Sequence, residues 1–205
     1  MKSSSGSSFS RNSKAGPAMS SHRYFGEEAI RRKWRNPEAT LKSIGLRSGM
    51  VFMDIGCGDG FFAIPAAQIV GEKVVVYAMD IDASAVKRLK DKAAEKGLKN
   101  PNAKVGAAEE TVFCEECADI VFYGRVLHDF RDPAKVLRNA KRMLKPAGTL
   151  VDLDWKKKPT VFGPPVWIKF SEKQAAGLIK TAGFTIESIR DAGRDFYIVT
   201  AKPQR

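Results

Sequence analysis

The segment 54–60, Asp-Ile-Gly-Cys-Gly-Asp-Gly, places a glycine at every second position. Glycines in such a loop permit a tight turn and let a ligand approach bare backbone. The apolar residues before it, Val51–Ile55, predict a short buried strand, and Phe61–Val70 after it predicts a helix. In α/β proteins a strand–loop–helix unit of this kind binds ligands at the carboxyl end of the strand. The chain is therefore expected to contain a parallel sheet with a ligand site beside this loop.

Strands and helices alternate along the rest of the chain, which favours a doubly wound α/β fold. Besides the elements around the loop, the patterns predict helical segments within 24–45, strands Val74–Met79, Ala103–Ala107, Asp119–Tyr123 and Thr149–Leu153, helices Ala83–Lys96, Pro133–Leu144 and Ser171–Ala182, and a hairpin of Phe184–Arg190 with Phe196–Ala201. The prediction is a Rossmann-like, seven-stranded sheet, mostly parallel, with one antiparallel strand from the C-terminal hairpin and helices on both faces.

The acidic residues around the loop decide between nucleotide ligands. Asp80 ends the second predicted strand, twenty residues after Gly60, where a carboxylate can bind both hydroxyls of a ribose. A dinucleotide fingerprint needs its third glycine at position 61, which is Phe61. Asp54 and Asp59 would repel a pyrophosphate at short range. S-adenosylmethionine (SAM) has no phosphate and carries two cationic groups, so SAM is the favoured cofactor.

Several segments together resemble class I SAM-dependent methyltransferases. The matching segments are Val51–Gly60, Val76–Asp82, Asp119–Asp129, Arg131–Leu137 and Leu144–Leu150. The last two are similar to the branch that includes ubiquinone/menaquinone-biosynthesis methyltransferases. The likeness runs from about residue 36 to 201, and it implies a methyltransferase that uses SAM as its cofactor.

The resemblance also implies which residues hold SAM. The implied set is Asp54, Gly56, Cys57, Gly58, Asp59 and Gly60 for the methionine part, Asp80 for the ribose, Ile81 for the adenine, and Tyr123, Gly124 and Arg125 for the methyl end. Where the family often has Gly-Asp-Ala-Glu after the third strand, this chain has Ala107 in place of the Asp. The adenine is therefore expected to be recognised by backbone groups near Ala108 or by Glu109.

His128 and Asp129 are the catalytic candidates. Methyl transfer depends largely on positioning, and a base is needed only if the acceptor must lose a proton. His128 has a suitable pKa for that base and follows the fourth strand; alternatively it packs against the next helix or holds a loop. Asp129 either orients His128 or is solvated. The aromatic-rich segment Trp155–Trp167 is interpreted either as a cover for the pocket or as core packing.

The charge pattern bears on the substrate class. The net charge is +12, and half of it falls in residues 1–35. Residues 1–20 are predicted to be a disordered basic tail or an expression leader, with a single domain over 21–205. Residues 123–126 lack the Asn/Asp-Pro-Pro-aromatic pattern of amino-methylating nucleic-acid enzymes, and no Pro-Cys pair occurs. A small-molecule acceptor is favoured. Two alternatives remain: an RNA or protein methyltransferase that uses the basic segment, and a nucleotide-binding module without catalysis.

The number of cysteines and the lengths of the apolar runs constrain the cellular compartment, metal binding and any membrane span. Three cysteines argue against a disulfide framework and favour a reducing cytoplasm. Cys114 and Cys117 lack further ligands nearby, so they are interpreted as structural and no metal site is predicted. No apolar run reaches the length of a membrane span. Monomer and homodimer both stay open.

Overall fold

The computed structural model describes residues 31–32 and 35–204, so the predicted tail and residues 24–30 and 33–34 of the first predicted helical stretch lie outside the described residues. Helices and strands alternate after Pro37. The helices are α1 (Pro37–Ser43), α2 (Ala63–Val70), α3 (Ala83–Glu95), α4 (Pro133–Met143) and α5 (Glu172–Thr181), and the strands are β1 (Phe52–Ile55), β2 (Val76–Asp80), β3 (Pro101–Val105), β4 (Ala118–Gly124), β5 (Leu144–Trp155), β6 (Phe184–Asp191) and β7 (Phe196–Pro203).

The seven strands form one sheet in the order β3-β2-β1-β4-β5-β7-β6. Strands β1 to β5 run parallel to one another, while β7 is antiparallel to both of its neighbours. This confirms the predicted doubly wound sheet with one antiparallel strand. The order reverses between β1 and β4, and a crevice at the carboxyl ends of these strands is where such sheets bind ligands.

The sheet is covered on both faces because its strands alternate their side chains. Phe52, Ile120 and Val151 face a core shared with α1, α2 and α3. Met53 and Val121 face a second core shared with α4 and α5. Since the buried strands carry apolar residues at successive positions, the sheet has no solvated central face, as expected for parallel strands.

The helix termini that the sequence signalled are confirmed. Pro133 occupies the first turn of α4, where the missing N–H costs nothing. Ser171 caps α5, and Gln174 completes a capping box with it. These caps satisfy N–H groups that the first helical turn leaves without partners.

Some boundaries differ from the predicted ones. The helix after the glycine loop begins at Ala63, because Phe61 and Phe62 are buried in the turn before it. Strand β3 starts two residues earlier than predicted and ends at Val105. Strand β5 begins at Leu144, since Leu144 pairs with β4 before an irregularity in the ladder. Long-range pairing of this kind has no local sequence signal.

Asn100 holds the turn between α2 and β2. Its buried side-chain amide donates hydrogen bonds to the carbonyls of Ala67, Gly71 and Val74, at 3.0, 3.2 and 3.0 Å. We expect Asn100→Ala to lower the free energy of unfolding by about 1–3 kcal/mol, because three buried carbonyls lose their donor. Urea denaturation measures this. The exposed Asn102, altered to Ala, is the control, and an equal loss in both variants would contradict the assignment.

Candidate functional site

The glycine loop after β1 has a backbone that only glycine adopts easily. Gly56, Gly58 and Gly60 have φ values of 77°, 53° and 89°. A Cβ on Gly56 would lie 2.6 Å from Cγ2 of Val126. The N–H groups of Gly56 and Cys57 both donate to the Met79 carbonyl, at 2.8 and 2.9 Å. The loop is therefore held tightly against β2 with its backbone at the cavity wall.

Asp80 lies at the carboxyl end of β2 and fixes this loop. Its Oδ2 accepts a hydrogen bond from Gly58 N at 2.8 Å, and its Oδ1 accepts one from Asp82 N at 2.9 Å. The side chain is buried and lines the cavity. Each carboxylate oxygen has two lone pairs, so both can accept a further hydrogen bond from a ligand hydroxyl.

Asp54 is a buried carboxylate at the end of β1. It is 1% exposed, and its Oδ2 makes no hydrogen bond to a described residue. Burial, together with the nearby Asp80, raises the pKa of Asp54 to about 7. A cationic ligand would compensate both carboxylates, whereas a phosphate would add to their repulsion.

Asp59 is compensated within the chain. Its carboxylate accepts hydrogen bonds from Arg31, at 2.8 Å to Nη1, and from Lys92, at 2.9 Å. Burial alone would raise the pKa of Asp59, but these two cations lower it below its usual range. Asp59 therefore joins α3 to the N-terminal segment, in addition to any contact with a ligand.

A cavity of about 700 Å³ opens beside Asp80. Ile81, 73% exposed, forms part of its wall together with residues 106–110. Five acidic and two basic side chains line it: Asp80, Glu109, Glu110, Asp129 and Asp132, with Arg131 and Lys135. This excess of carboxylates favours a cationic ligand over a pyrophosphate.

The wall formed by residues 106–110 is braced from α4. The buried Asn139 donates to the carbonyls of Ala108 and Glu109, at 3.0 and 2.9 Å. The Glu109 carboxylate accepts hydrogen bonds from the N–H groups of Arg131 and Asp132. The side chain of Glu109 thus supports the loop before α4.

The residues at the end of β4, 123–125, do not line the cavity. Tyr123 is fully buried, and its hydroxyl donates to the Val136 carbonyl at 3.3 Å. A Cβ on Gly124 would lie 3.0 Å from the Phe62 ring. Arg125 has a left-handed φ of 66°, and its guanidinium lies 5.4 Å from the centre of the Phe61 ring. Burial, and then the neighbouring Arg31 and Arg35, lowers the pKa of Arg125 to about 10.

His128 is clamped between two carboxylates. Its Nδ1 lies 2.8 Å from Asp154 Oδ2, and its Nε2 lies 3.4 Å from Asp129 Oδ1. The His128 and Asp154 side chains are buried, whereas Asp129 lines the cavity. Burial disfavours the charged ring, but the carboxylates, Asp154 foremost, raise the pKa of His128 above 6.5. The arrangement can hold a proton on Nε2 close to the cavity wall.

The structure brings together some of the predicted site residues and separates others from the cavity. Those that line it are Gly56, Asp80, Ile81, Ala108, Glu109 and Asp129. Those of the predicted set that do not are Asp54, Cys57, Gly58, Asp59, Gly60, Tyr123, Gly124, Arg125 and His128. Sequence reasoning missed Asp154 and Asn139; carboxylates at 152 and 154, at alternate positions of an apolar strand, were the available signal for Asp154.

The remaining cysteine pair lies outside the cavity wall. Cys114 and Cys117 are joined by a disulfide bond, while Cys57 is a buried free thiol. One bond between residues three apart closes a very short loop and does not form a framework. In the described residues no group of three or more His, Cys, Asp or Glu side chains is placed to hold a metal ion.

SAM fits the residues that surround the cavity. The buried Asp54 oxygen without a partner and the acidic wall both suit its positive charges. Asp80 retains acceptor capacity for ribose hydroxyls. Gly56 lines the cavity, and packing against Val126 requires a glycine there, because a Cβ would clash with the Val126 side chain.

Comparison with known proteins gives a consistent result. Residues 46–176 match a family model described as a methyltransferase domain. A ubiquinone/menaquinone biosynthesis C-methyltransferase of Vibrio vulnificus is 35% identical over 136 residues, which cover 66% of this chain and 51% of that protein. A demethylmenaquinone methyltransferase of Geobacillus kaustophilus is 31% identical over 131 residues, covering 64% of this chain and 55% of that protein. The chain thus spans about half the length of these curated relatives.

Solved structures agree with this match. A SAM-dependent methyltransferase from Aquifex aeolicus superposes with a TM-score of 0.77 at 29% identity, covering 86% of this chain and 98% of that one. The 4+2 cyclase SpnF superposes with a TM-score of 0.70 at 16% identity, covering 82% of this chain and 80% of that one, which shows the fold alone.

Within the described residues, no helix is both long and apolar enough to cross a membrane.

Proposed function

Since this chain belongs to the SAM-dependent methyltransferase family, we propose that it transfers the methyl group of SAM to a small, planar, hydroxylated ring of the quinone-precursor type. The acceptor class is suggested by relatives whose names specify ubiquinone and menaquinone biosynthesis. The observation that carries the proposal is the chain of Asp129, His128 and Asp154, which links the cavity to a buried proton-accepting group.

The cofactor-binding roles follow from the surroundings of each residue. When bound, SAM supplies an electrophilic methyl group on a sulfonium. Asp80 would hold the ribose, Ile81 would cover the adenine, and Asp54 would face the cationic part. The guanidinium of Arg125, which lies over Phe61 directly after the glycine loop, would compensate the methionine carboxylate.

The acceptor must lose a proton if a ring hydroxyl is to activate a neighbouring carbon or to be methylated itself. In this proposal the hydroxyl donates its proton to the Asp129 carboxylate, and Nε2 of His128 receives it. The resulting imidazolium is stabilised by Asp129 on one side and Asp154 on the other. His128 therefore needs to be neutral before each turnover, with its Nδ1–H directed to Asp154.

Methyl transfer from radiolabelled SAM tests this function. Purified full-length protein is incubated with hydroxylated naphthalene and benzene rings bearing apolar tails, and in parallel with RNA and with unmethylated proteins. We expect label in the ring compounds only, with one demethylated cofactor formed per methyl transferred. Label in RNA or protein, with none in the rings, would favour the alternative substrates, and SAM binding without any transfer would indicate a binding module.

The alternatives differ in their dependence on salt. A nucleic-acid substrate held by the basic N-terminal segment would bind with an affinity that falls steeply as salt rises. A small apolar acceptor would not show this dependence. We propose that the reaction takes place in the cytoplasm, because the chain has three cysteines and the bond between Cys114 and Cys117 closes too short a loop to form a disulfide framework. Size-exclusion chromatography with light scattering separates monomer from homodimer.

A further inference from the structure

The loop of residues 156–170, which follows β5 and is called the aromatic loop below, exposes large apolar side chains. Val161, Phe162 and Trp167 are 78%, 48% and 80% exposed. In the described part of the chain, Phe162 and Trp167 are the only aromatic residues among the exposed large hydrophobic ones. They are five residues apart and so at most about 18 Å from one another. Clustered exposure of this kind marks an interaction surface.

The inner side of the aromatic loop is fixed to the protein. Gly163 has a φ of 98°, and a Cβ there would lie 2.6 Å from the Trp155 ring. The buried Lys169 donates to the Lys158 carbonyl at 2.9 Å and to the Thr160 hydroxyl at 2.7 Å. Because these contacts hold the loop from below, the exposure of its apolar side chains belongs to a defined conformation rather than to a frayed one.

Positive charge surrounds the exposed side chains. Apart from the buried Lys169, residues 156–173 contain four lysines and one glutamate, a net charge of +3. Lys156 and Lys158 form ion pairs with Asp191 and Asp195, which themselves lie beside Arg190 and Arg194. Lys157 is exposed and donates a hydrogen bond to the uncharged side chain of Gln174. The surface therefore combines exposed aromatic residues with excess cationic charge.

We propose that the aromatic loop docks on the surface of a lipid bilayer that contains anionic lipids. Aromatic side chains settle at the headgroup level, and lysines are attracted to the negative charge of such a leaflet. A single-stranded nucleic acid would use the lysines and stack bases on the aromatic residues, but it would leave the exposed Val161 without a role. Docking is peripheral, through a loop, and requires no membrane-spanning helix.

The position of the aromatic loop relates docking to the proposed function, on which this part of the inference rests. The loop leaves β5 directly after Asp154 and Trp155, at the carboxyl edge of the sheet where His128 lies. A bilayer at this edge would present an apolar ring compound beside the cavity. An acceptor with an isoprenoid-like tail partitions into bilayers rather than water.

Vesicle flotation of the full-length protein tests the docking. Vesicles of phosphatidylcholine with phosphatidylglycerol are compared with vesicles of phosphatidylcholine alone. We expect binding to the anionic vesicles, weakened about tenfold when Phe162 and Trp167 are both altered to Ser. Val75→Ser is the matched control, since Val75 is 38% exposed and directly precedes β2, at the amino edge of the parallel strands, opposite the edge from which the aromatic loop leaves β5. Every variant keeps the basic N-terminal segment, so differences between them report the loop.

Tryptophan emission gives a second measurement on the same samples. Subtracting the spectrum of Trp167→Phe from that of wild type gives the emission of Trp167. This emission should shift to shorter wavelength when anionic vesicles are added, because an exposed indole enters a less polar layer. Equal vesicle binding by wild type and the double variant, or an unshifted Trp167 emission, would overturn docking. Docking would also be overturned if the double variant kept its vesicle binding but no longer methylated a water-soluble acceptor. That result would mean that the aromatic loop covers the acceptor. Methyl transfer itself can fail without changing either measurement.

Discussion

Replacing Asp80 by Ala is expected to weaken SAM binding by at least tenfold, and by more than a hundredfold if both of its roles are lost. The first role is the proposed pair of hydrogen bonds to the ribose, each worth about 1.5–3 kcal/mol because the acceptor is charged. The second is the anchoring of Gly58 N and Asp82 N at 2.8 and 2.9 Å. Titration calorimetry with SAM and with its demethylated product measures the change.

Two further variants separate the roles of Asp80. Asp80→Asn keeps one carbonyl acceptor and should give an intermediate loss of affinity. Asp82→Ala removes the cap of α3, where Asp82 accepts from Ser84 N at 2.8 Å, and should lower stability by about 1 kcal/mol without altering SAM affinity. An unchanged dissociation constant in Asp80→Ala would refute the ribose assignment.

The ligand-binding edge of the sheet follows closely from local sequence. The spacing of the glycines requires the left-handed turns observed at Gly56 and Gly60, and the strand end at Asp80 lies at the cavity wall as predicted. These features depend on a few adjacent residues. A tight turn after a buried strand therefore leaves a signal that can be detected without knowledge of the rest of the chain.

The chemistry beyond the cofactor depends on contacts between distant segments, which leave weaker signals. His128 and Asp154 are twenty-six residues apart and meet because β4 and β5 are neighbours in the sheet. The pairing of Arg31 with Asp59 likewise joins the N-terminal segment to the glycine loop. The charge of Asp59 and the family resemblance both predicted a ligand-facing group, but neither could reveal Arg31 and Lys92, which compensate Asp59 from elsewhere in the chain.

The His128 and Asp154 pair also links a proton to stability. Because Asp154 raises the pKa of His128 above its ordinary 6.5, the charged ring stabilises the fold. That contribution is fully present below about pH 6.5 and is lost as pH rises through the raised pKa of the folded state. Thermal unfolding of wild type should therefore show a loss of stability over this range that a variant lacking the Asp154 charge does not show.

Replacing Asp154 by Asn should lower kcat by roughly a hundredfold, within the range that general acid–base groups contribute. If neutral His128 accepts the proton, wild-type activity rises as pH increases past its raised pKa. Removing the Asp154 charge lowers that pKa, so the rising limb moves to lower pH while the weaker base reduces the maximum rate. The pH dependence of kcat measures both effects. NMR titration of the ring follows the same group, since the chain has two histidines and His128→Gln assigns the signal.

Asp152→Asn is the control that makes this result specific. Asp152 lies two residues before Asp154 on the same face of β5, is fully buried, and makes no hydrogen bond to a described residue. Burial, and then the neighbouring Asp154, raises the pKa of Asp152, so an uncharged Asn replaces it with little electrostatic change. In Asp152→Asn, the rising part of the pH–activity curve and the titration of His128 should occur at the same pH as in wild type. A shift of equal size in both variants would mean that the pH dependence reflects the buried charge of β5 as a whole, and the assignment of His128 as proton acceptor would fail.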